Sequence, residues 1–177
     1  AVFEQLLRTA DIVVANLPPS SVKSLGLDYE RLSAIKPDII FLHLTTFGTS
    51  GPFADRLGFD AIAQVMSGTT HLSGDPDKPM KSAAAWVDMA TGFLGAYGLM
   101  AALRHRDVSG QGQQVEANLL QTAMTVSNYF LIDEAFNEYG RVGTGNRAQS
   151  GGPADLIRTR DGWVYMVALG NPMFKRW

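Results

Sequence analysis

Two kinds of apolar pattern alternate along the chain. Residues 11–15 (D-I-V-V-A) and 39–44 (I-I-F-L-H-L) are short, almost unbroken apolar runs, as expected of strands buried on both faces. Before and between them the apolar residues are spaced at three and four. Val2, Phe3, Leu6 and Leu7 share a helical face with no capping residue ahead of them, and residues 29–35 form a second helical stretch that Asp28 can cap and Pro37 must end. Residues 16–20 (N-L-P-P-S) carry two prolines, which stop the first strand and predict a loop. Helix, strand, helix, strand is the order of a βαβ unit, and so of a parallel sheet with a right-handed crossover. Ligands of such sheets sit beyond the carboxyl ends of the strands. That rule points to Asn16 and Leu17 after the first strand and to residues 45–51 after the second.

The middle of the chain is mainly helical in pattern. Residues 58–68 predict a helix with Ala61, Ile62, Val65 and Met66 turned inward and Asp60 in its first turn. Residues 47–52 (F-G-T-S-G-P) and 74–81 (G-D-P-D-K-P-M-K) read as loops on either side. Residues 89–103 contain no charge and no proline, which predicts a helix of about four turns. Small residues on more than one face, Gly92, Gly95, Gly98 and Ala102 among them, predict close backbone neighbours and burial. Arg104, His105 and Arg106 put positive charge at its end, and residues 107–113 read as a turn.

Beyond it, residues 114–117 predict a short strand, and Asn118 can cap a helix running from 119 to about 138. The expected inner face of that helix is Leu119, Leu120, Ala123, Met124, Ser127, Phe130 and Leu131. Residues 140–152 form the segment richest in glycine. A dinucleotide-binding loop needs a strand before it and a helix after it, whereas here a long helix precedes and strands follow. Residues 155–159 and 163–169 flank Arg160-Asp161-Gly162, a hairpin signal.

Composition narrows the picture. At 177 residues with 46% hydrophobic and 18% charged side chains, the chain can bury a substantial core. A net charge of −2, with the basic residues scattered, gives no electrostatic footprint for nucleic acid or an anionic membrane. There is no cysteine, which excludes disulfides and thiol chemistry and fits a reducing cytoplasm. The apolar run at 89–103 is short and glycine-rich for a membrane span, and no signal peptide is visible. The chain opens inside a helical pattern and stops as a new segment begins, the pattern of a fragment of a longer protein.

Asp88 is the residue that most needs explaining, because it opens an otherwise uncharged helical run. One reading is a helix N-cap or first-turn acid, the commoner role for Asp. The other is a carboxylate nucleophile, positioned and desolvated near an electrophile. Spacing does not separate them; under either, the helix dipole and free N–H groups favour the ionised form. His43, His71 and His105 have no pair at metal-ligand spacing, so no metal site is expected, and no serine lies in a G-x-S-x-G elbow. Gln64, Trp86 and Met89 are candidate pocket-wall residues that packing explains equally well.

Six blocks occur in order: residues 16–19 (N-L-P-P), 25–32 (L-G-L-D-Y-E-R-L), 47–52, 58–64 (G-F-D-A-I-A-Q), 88–92 (D-M-A-T-G), and 101–106 (A-A-L-R-H-R) through 110–113 (G-Q-G-Q). Together they resemble the family III CoA-transferases, also called the CaiB/BaiF family, which includes formyl-CoA transferase and carnitine CoA-transferase. The resemblance covers nearly the whole chain. It implies an acyl-CoA:carboxylate CoA-transferase in which Asp88 is the nucleophile and passes through a covalent aspartyl intermediate. Coenzyme A and acyl-CoA are then substrates, with no permanently bound cofactor, and a small carboxylic acid is the acceptor.

The same resemblance assigns Asn16, Leu17 and Pro18, with Lys23 and Ser24, and Leu57, Gly58, Phe59 and Asp60 to CoA binding. Gly151 and Gly152 match a glycine loop over the acyl site. The chain departs from the family where an aromatic and a basic residue often follow the Asn and an Arg comes a few residues later: Leu17, Pro18 and Ser24 stand there, with Lys23 adjacent. Related α-methylacyl-CoA racemases carry a proton-transferring His where this chain has Phe59, which cannot accept a proton, so transfer is favoured over racemisation. A non-catalytic CoA-binding or subunit-interaction fragment is the further alternative. The implied fold is α/β, with residues 1–152 in a large domain built on a Rossmann-like parallel sheet and 153–177 a hairpin leading to a small domain. The resemblance also implies an interlocked homodimer.

Overall fold

A computed structural model describes residues 2–177. The chain begins with helix α1 (Val2–Thr9), strand β1 (Ile12–Ala15), helices α2 (Pro19–Ser24) and α3 (Tyr29–Ile35), and strand β2 (Ile40–Thr45). Then come α4 (Asp60–Met66), α5 (Thr69–Leu72), a two-residue ladder of β3 (Gly74–Asp75) with β4 (Lys78–Pro79), and the long helix α6 (Trp86–Ser109). Strand β5 (Gln113–Asn118), α7 (Leu119–Val126), α8 (Asn128–Asn137), the hairpin β6 (Ala154–Arg158) and β7 (Trp163–Val167), and α9 (Asn171–Phe174) complete it.

The main sheet has the order β1-β2-β5 and both pairings are parallel, with Ile12 opposite Ile40 and Leu42 opposite Val115. Its centre, β2, is buried from Ile40 to His43. Because side chains alternate across a strand, Phe41 and His43 face one layer and Leu42 and Leu44 the other. On the first side Phe41 joins Leu7 of α1, Val22 of α2, Leu32 of α3, Ala15 and Ile39 in one apolar cluster. On the second side lies α6. A Cβ placed on Gly95 would stand 3.1 Å from a methyl of Leu42, and one on Gly98 would stand 2.6 Å from Val115. These two glycines let the helix backbone lie against the sheet.

The expected α/β class, parallel sheet and terminal hairpin are all present, and the caps are informative. Asp28 Oδ1 accepts the Arg31 N–H at 3.1 Å at the start of α3, and Asn118 Oδ1 accepts the Gln121 N–H at 2.8 Å at the start of α7. Several expectations are corrected. The prolines at 18 and 19 do not simply make a loop: Pro19 opens α2, where its fixed φ and missing N–H suit the first helical position. Helix α6 does not end at Arg104 but runs on through the expected turn to Ser109, stopped by Gly110 at φ 71. Arg106, near that end, reaches Asp11 at 3.1 Å and the carbonyls of Asp11 and Asp38, tying the helix to the start of the sheet.

The single helix expected over 119–138 is two, broken at Ser127, whose hydroxyl donates to the Ala123 carbonyl at 2.7 Å. Its buried positions are Thr122, Ala123 and Ser127, while Met124 and Leu131 are exposed. In α4 the expected inward face is also reversed. Asp60, Ala63 and Gln64 are buried, whereas Ile62, Val65 and Met66 are exposed, since the polar side chains bond to one another and to the start of α6.

Nor is α6 buried throughout. Only Val87, Thr91, Gly95 and Ala102 are, and Met89, Phe93, Tyr97 and Met100 form an exposed apolar stripe. By length and composition it is the one helix among the described residues that would cross a membrane, but it packs on β2 and β5 as the covering helix of an α/β layer.

Phe41 is completely buried at the sheet centre. Replacing it with Ala should lower the unfolding free energy by about 3–5 kcal/mol, measured by urea denaturation of the full-length protein.

Candidate active site

The cleft that matters opens at the carboxyl ends of all three parallel strands. Asn16, Leu17 and Pro18 follow β1, Thr45 and Thr46 end and follow β2, and Leu119 follows β5; with Asp88, Thr91 and Gly92 from the start of α6, and Arg56, Leu57, Gly58 and Phe59, they line a space of about 460 Å³. The position is the one the strand topology dictates.

Each wall is fastened by an identifiable bond. His43, buried in β2, donates from Nε2 to the Leu17 carbonyl at 2.7 Å, which fixes both the loop after β1 and the ring tautomer. The Thr46 hydroxyl donates to the Gly58 carbonyl at 3.0 Å, and a Cβ at Gly58 would meet the Thr46 side chain. Asp55 accepts the Ser20 N–H at 2.9 Å, joining the same loop to α2. Leu57 and Phe59, both 76% exposed, give the rim an apolar surface. Arg56 supplies a cation to the lining and stacks over Phe53 at 4.4 Å.

Asp88 lies in the first turn of α6, as expected, with its side chain exposed. Its electrostatics differ from the expectation that the helix terminus would favour the ionised form. The Val87 and Asp88 N–H groups are already taken by Asp60 Oδ2, at 2.8 and 3.2 Å. Removal of water by the surrounding protein, and secondly the nearby Asp60 carboxylate, raise the Asp88 carboxyl above its ordinary value.

The structure brings Asn16, Leu17, Pro18, Leu57, Gly58, Phe59 and Asp88 together; the other candidates lie elsewhere. Asp60 is buried beneath the cleft. Lys23 lines a separate depression on the Phe41–His43 face of the sheet, and the Ser24 hydroxyl is turned to the Ser21 carbonyl at 3.0 Å. Gly151 and Gly152 line a third hollow beside the hairpin. Their loop is tethered: Arg141 pairs with Asp133 of α8 and donates to the Gln149 carbonyl at 2.9 Å. Of the candidate wall residues, Gln64 is engaged with Asp60, Trp86 packs on the Ala63–Val87–Ala123 cluster, and Met89 points to solvent. No group of three potential metal ligands occurs among the described residues.

Sequence reasoning missed Arg56, Thr91 and His43. A basic residue directly before the Leu57-Gly58-Phe59 segment was a usable signal for the first. Nothing local marks His43, whose role depends on a contact 26 residues away.

A parallel α/β layer thus carries a strand-end cleft lined by the Asp88 carboxylate at a helix start. The chain belongs to CoA-transferase family III, whose family model matches residues 1–177. It is 33% identical over 177 residues to the succinate–glutarate CoA-transferase of Agrobacterium fabrum, covering 99% of this chain and 44% of that protein. It is also 33% identical over 178 residues to the succinyl-CoA:glutarate CoA-transferase of Mus musculus, covering 98% and 40%. Among solved structures, a CaiB/BaiF family protein from Brucella suis superposes with a TM-score of 0.83 at 31% identity, covering 92% of this chain and 43% of that one. The chain thus spans less than half the length of these relatives.

Removing the Asp60 charge should bring Asp88 back toward its ordinary value. In full-length protein, Asp60→Asn should lower the Asp88 titration midpoint, followed by carboxyl ¹³C shifts, because the neighbouring negative charge is gone.

Proposed function

We propose that the whole protein is an acyl-CoA:carboxylate CoA-transferase and that Asp88 is its nucleophile. The observation that carries this reading is the convergence of Asp88 with the Asn16–Pro18 and Leu57–Phe59 segments in one cleft. Asn16 offers amide hydrogen bonds, Arg56 a charge for phosphate, and Leu57 and Phe59 apolar surface for the rest of a CoA molecule.

The chemistry follows from the carboxylate. Asp88 attacks the thioester carbonyl; the C–S bond breaks, CoA leaves as thiolate, and a mixed anhydride forms. The thiolate then attacks the aspartyl carbonyl, the donor acid departs, and an aspartyl-CoA thioester remains. An acceptor carboxylate attacks that thioester, giving a second anhydride and CoA thiolate. Attack of the thiolate on the acceptor's acyl carbon yields the new acyl-CoA and frees Asp88. Covalent catalysis divides one difficult exchange into steps with good leaving groups. A carboxyl made more basic by its surroundings is a stronger nucleophile once ionised.

The names of the two relatives support succinyl-CoA and dicarboxylic acids as the first donor and acceptors to try. Phe59, in place of a proton-transferring histidine, supports transfer over racemisation. We assign residues 1–152 to the large domain and 153–177 to the approach to the small one. The exposed stripe of Met89, Phe93, Tyr97 and Met100 supports a covered surface in a homodimer, and the absence of cysteine supports a cytoplasmic setting.

The test is mass spectrometry of full-length protein incubated with a panel of acyl-CoAs and trapped with hydroxylamine or borohydride. A modification at Asp88 is expected, with Asp88→Ala losing it and at least about a thousandfold in turnover. Tight CoA binding without an adduct from any donor would overturn the transferase reading in favour of a binding fragment.

A further inference from the structure

Asp60 is a buried carboxylate that the chemistry above leaves unused. It begins α4, is only 8% exposed, and does not line the cleft. Every bond around it nevertheless points inward. Its Oδ2 accepts the N–H groups of Val87 and Asp88, at 2.8 and 3.2 Å, and its Oδ1 accepts from Gln64 Nε2. Gln64 Oε1 in turn accepts the Ser82 N–H at 2.8 Å, fastening the segment that leads into α6. Asp60 thus accepts on both of its oxygens.

Helix α6 needs this outside acceptor. Ala85 stands at its N-cap and provides no side-chain bond, so the first N–H groups would otherwise be open. With no side-chain cap at Ala85, Asp88 is the carboxylate of the first turn, where free N–H groups attract negative charge. Asp60 holds the N–H groups first.

We infer that Asp60, oriented by Gln64, is a positioning residue for Asp88: it caps α6 from another helix and so leaves the Asp88 carboxyl free for the cleft. The inference rests on the transferase reading above. Without the Asp60 carboxylate, Asp88 is drawn into capping its own helix and is withdrawn from the substrate.

The polarity of the network supplies the test. In Asp60→Asn the amide oxygen can accept from Val87 and Asp88 only by turning its NH₂ group against the NH₂ of Gln64, so the residue is no longer held against the start of α6. In the double variant Asp60→Asn/Gln64→Glu, the amide nitrogen at position 60 donates to the carboxylate at 64, whose second oxygen accepts the Ser82 N–H. All the hydrogen bonds return with the charge moved by one turn of α4.

The measurement is the single-turnover rate of Asp88 adduct formation in full-length protein, with CoA affinity measured alongside. Asp60→Asn should slow adduct formation by about 10–100-fold while CoA affinity changes less than about threefold, and the double variant should recover most of the rate. An unchanged rate in Asp60→Asn, or equal slowing in both variants, would overturn the inference. If Asp60→Asn does not fold, the double variant decides: near-wild-type labelling supports positioning, and misfolding or folded protein without labelling overturns it. Absence of an adduct in the wild type is a separate result, which overturns the transferase reading itself.

Discussion

The close approach of α6 to the parallel sheet is the constraint on which the site depends. Gly98 meets Val115 at a distance that leaves no room for a Cβ, and Gly95 meets Leu42 and Leu44 at distances that leave little, so the helix backbone lies directly on the strand side chains. Arg106 fixes the far end against Asp11 and Asp38. With the axis and one end held, the start of the helix can only emerge above the carboxyl ends of β1, β2 and β5. Asp88 lies there, lining the cleft, and Met89, Phe93, Tyr97 and Met100 of the same helix stay exposed.

The cleft is therefore built by three loops placed mainly by the sheet, with one bond, from the Ser20 N–H to Asp55, between the first two. His43 holds the loop after β1, Thr46 holds the segment before α4, and the register of β2 with β5 places Leu119. Polar side chains carry this work because a loop's free carbonyls need donors, and a buried histidine or threonine in the neighbouring strand end can supply them. The apolar residues Leu57 and Phe59 are left at the surface, where they extend the cleft wall.

Electrostatics at the start of α6 shows why two acids in one region are not interchangeable. Asp60 is buried and surrounded by donors, the Val87 and Asp88 N–H groups and the Gln64 amide. Asp88 has lost its N–H partners to Asp60 and feels both the removal of water and its neighbour's charge. One acid holds the N–H groups at the start of the helix and the other lines the cleft without them.

Much of this was legible in the residues. The unbroken apolar runs of β1 and β2, the caps at Asp28 and Asn118, and the Asp-Gly hairpin are local signals, set by propensity and by hydrogen bonds spanning a few positions. The order of those elements alone places a ligand at the strand ends, and the ordered motifs single out Asp88. What local pattern misread was facing and extent: α4 turns its polar side inward, α6 runs past its charged residues, and the helix after Asn118 breaks at Ser127. Only the tertiary structure decided the facing of α4, because it depends on partners far along the chain. The inward face of α4 is chosen by N–H groups 27 and 28 residues from Asp60, and no periodicity within α4 encodes that distance.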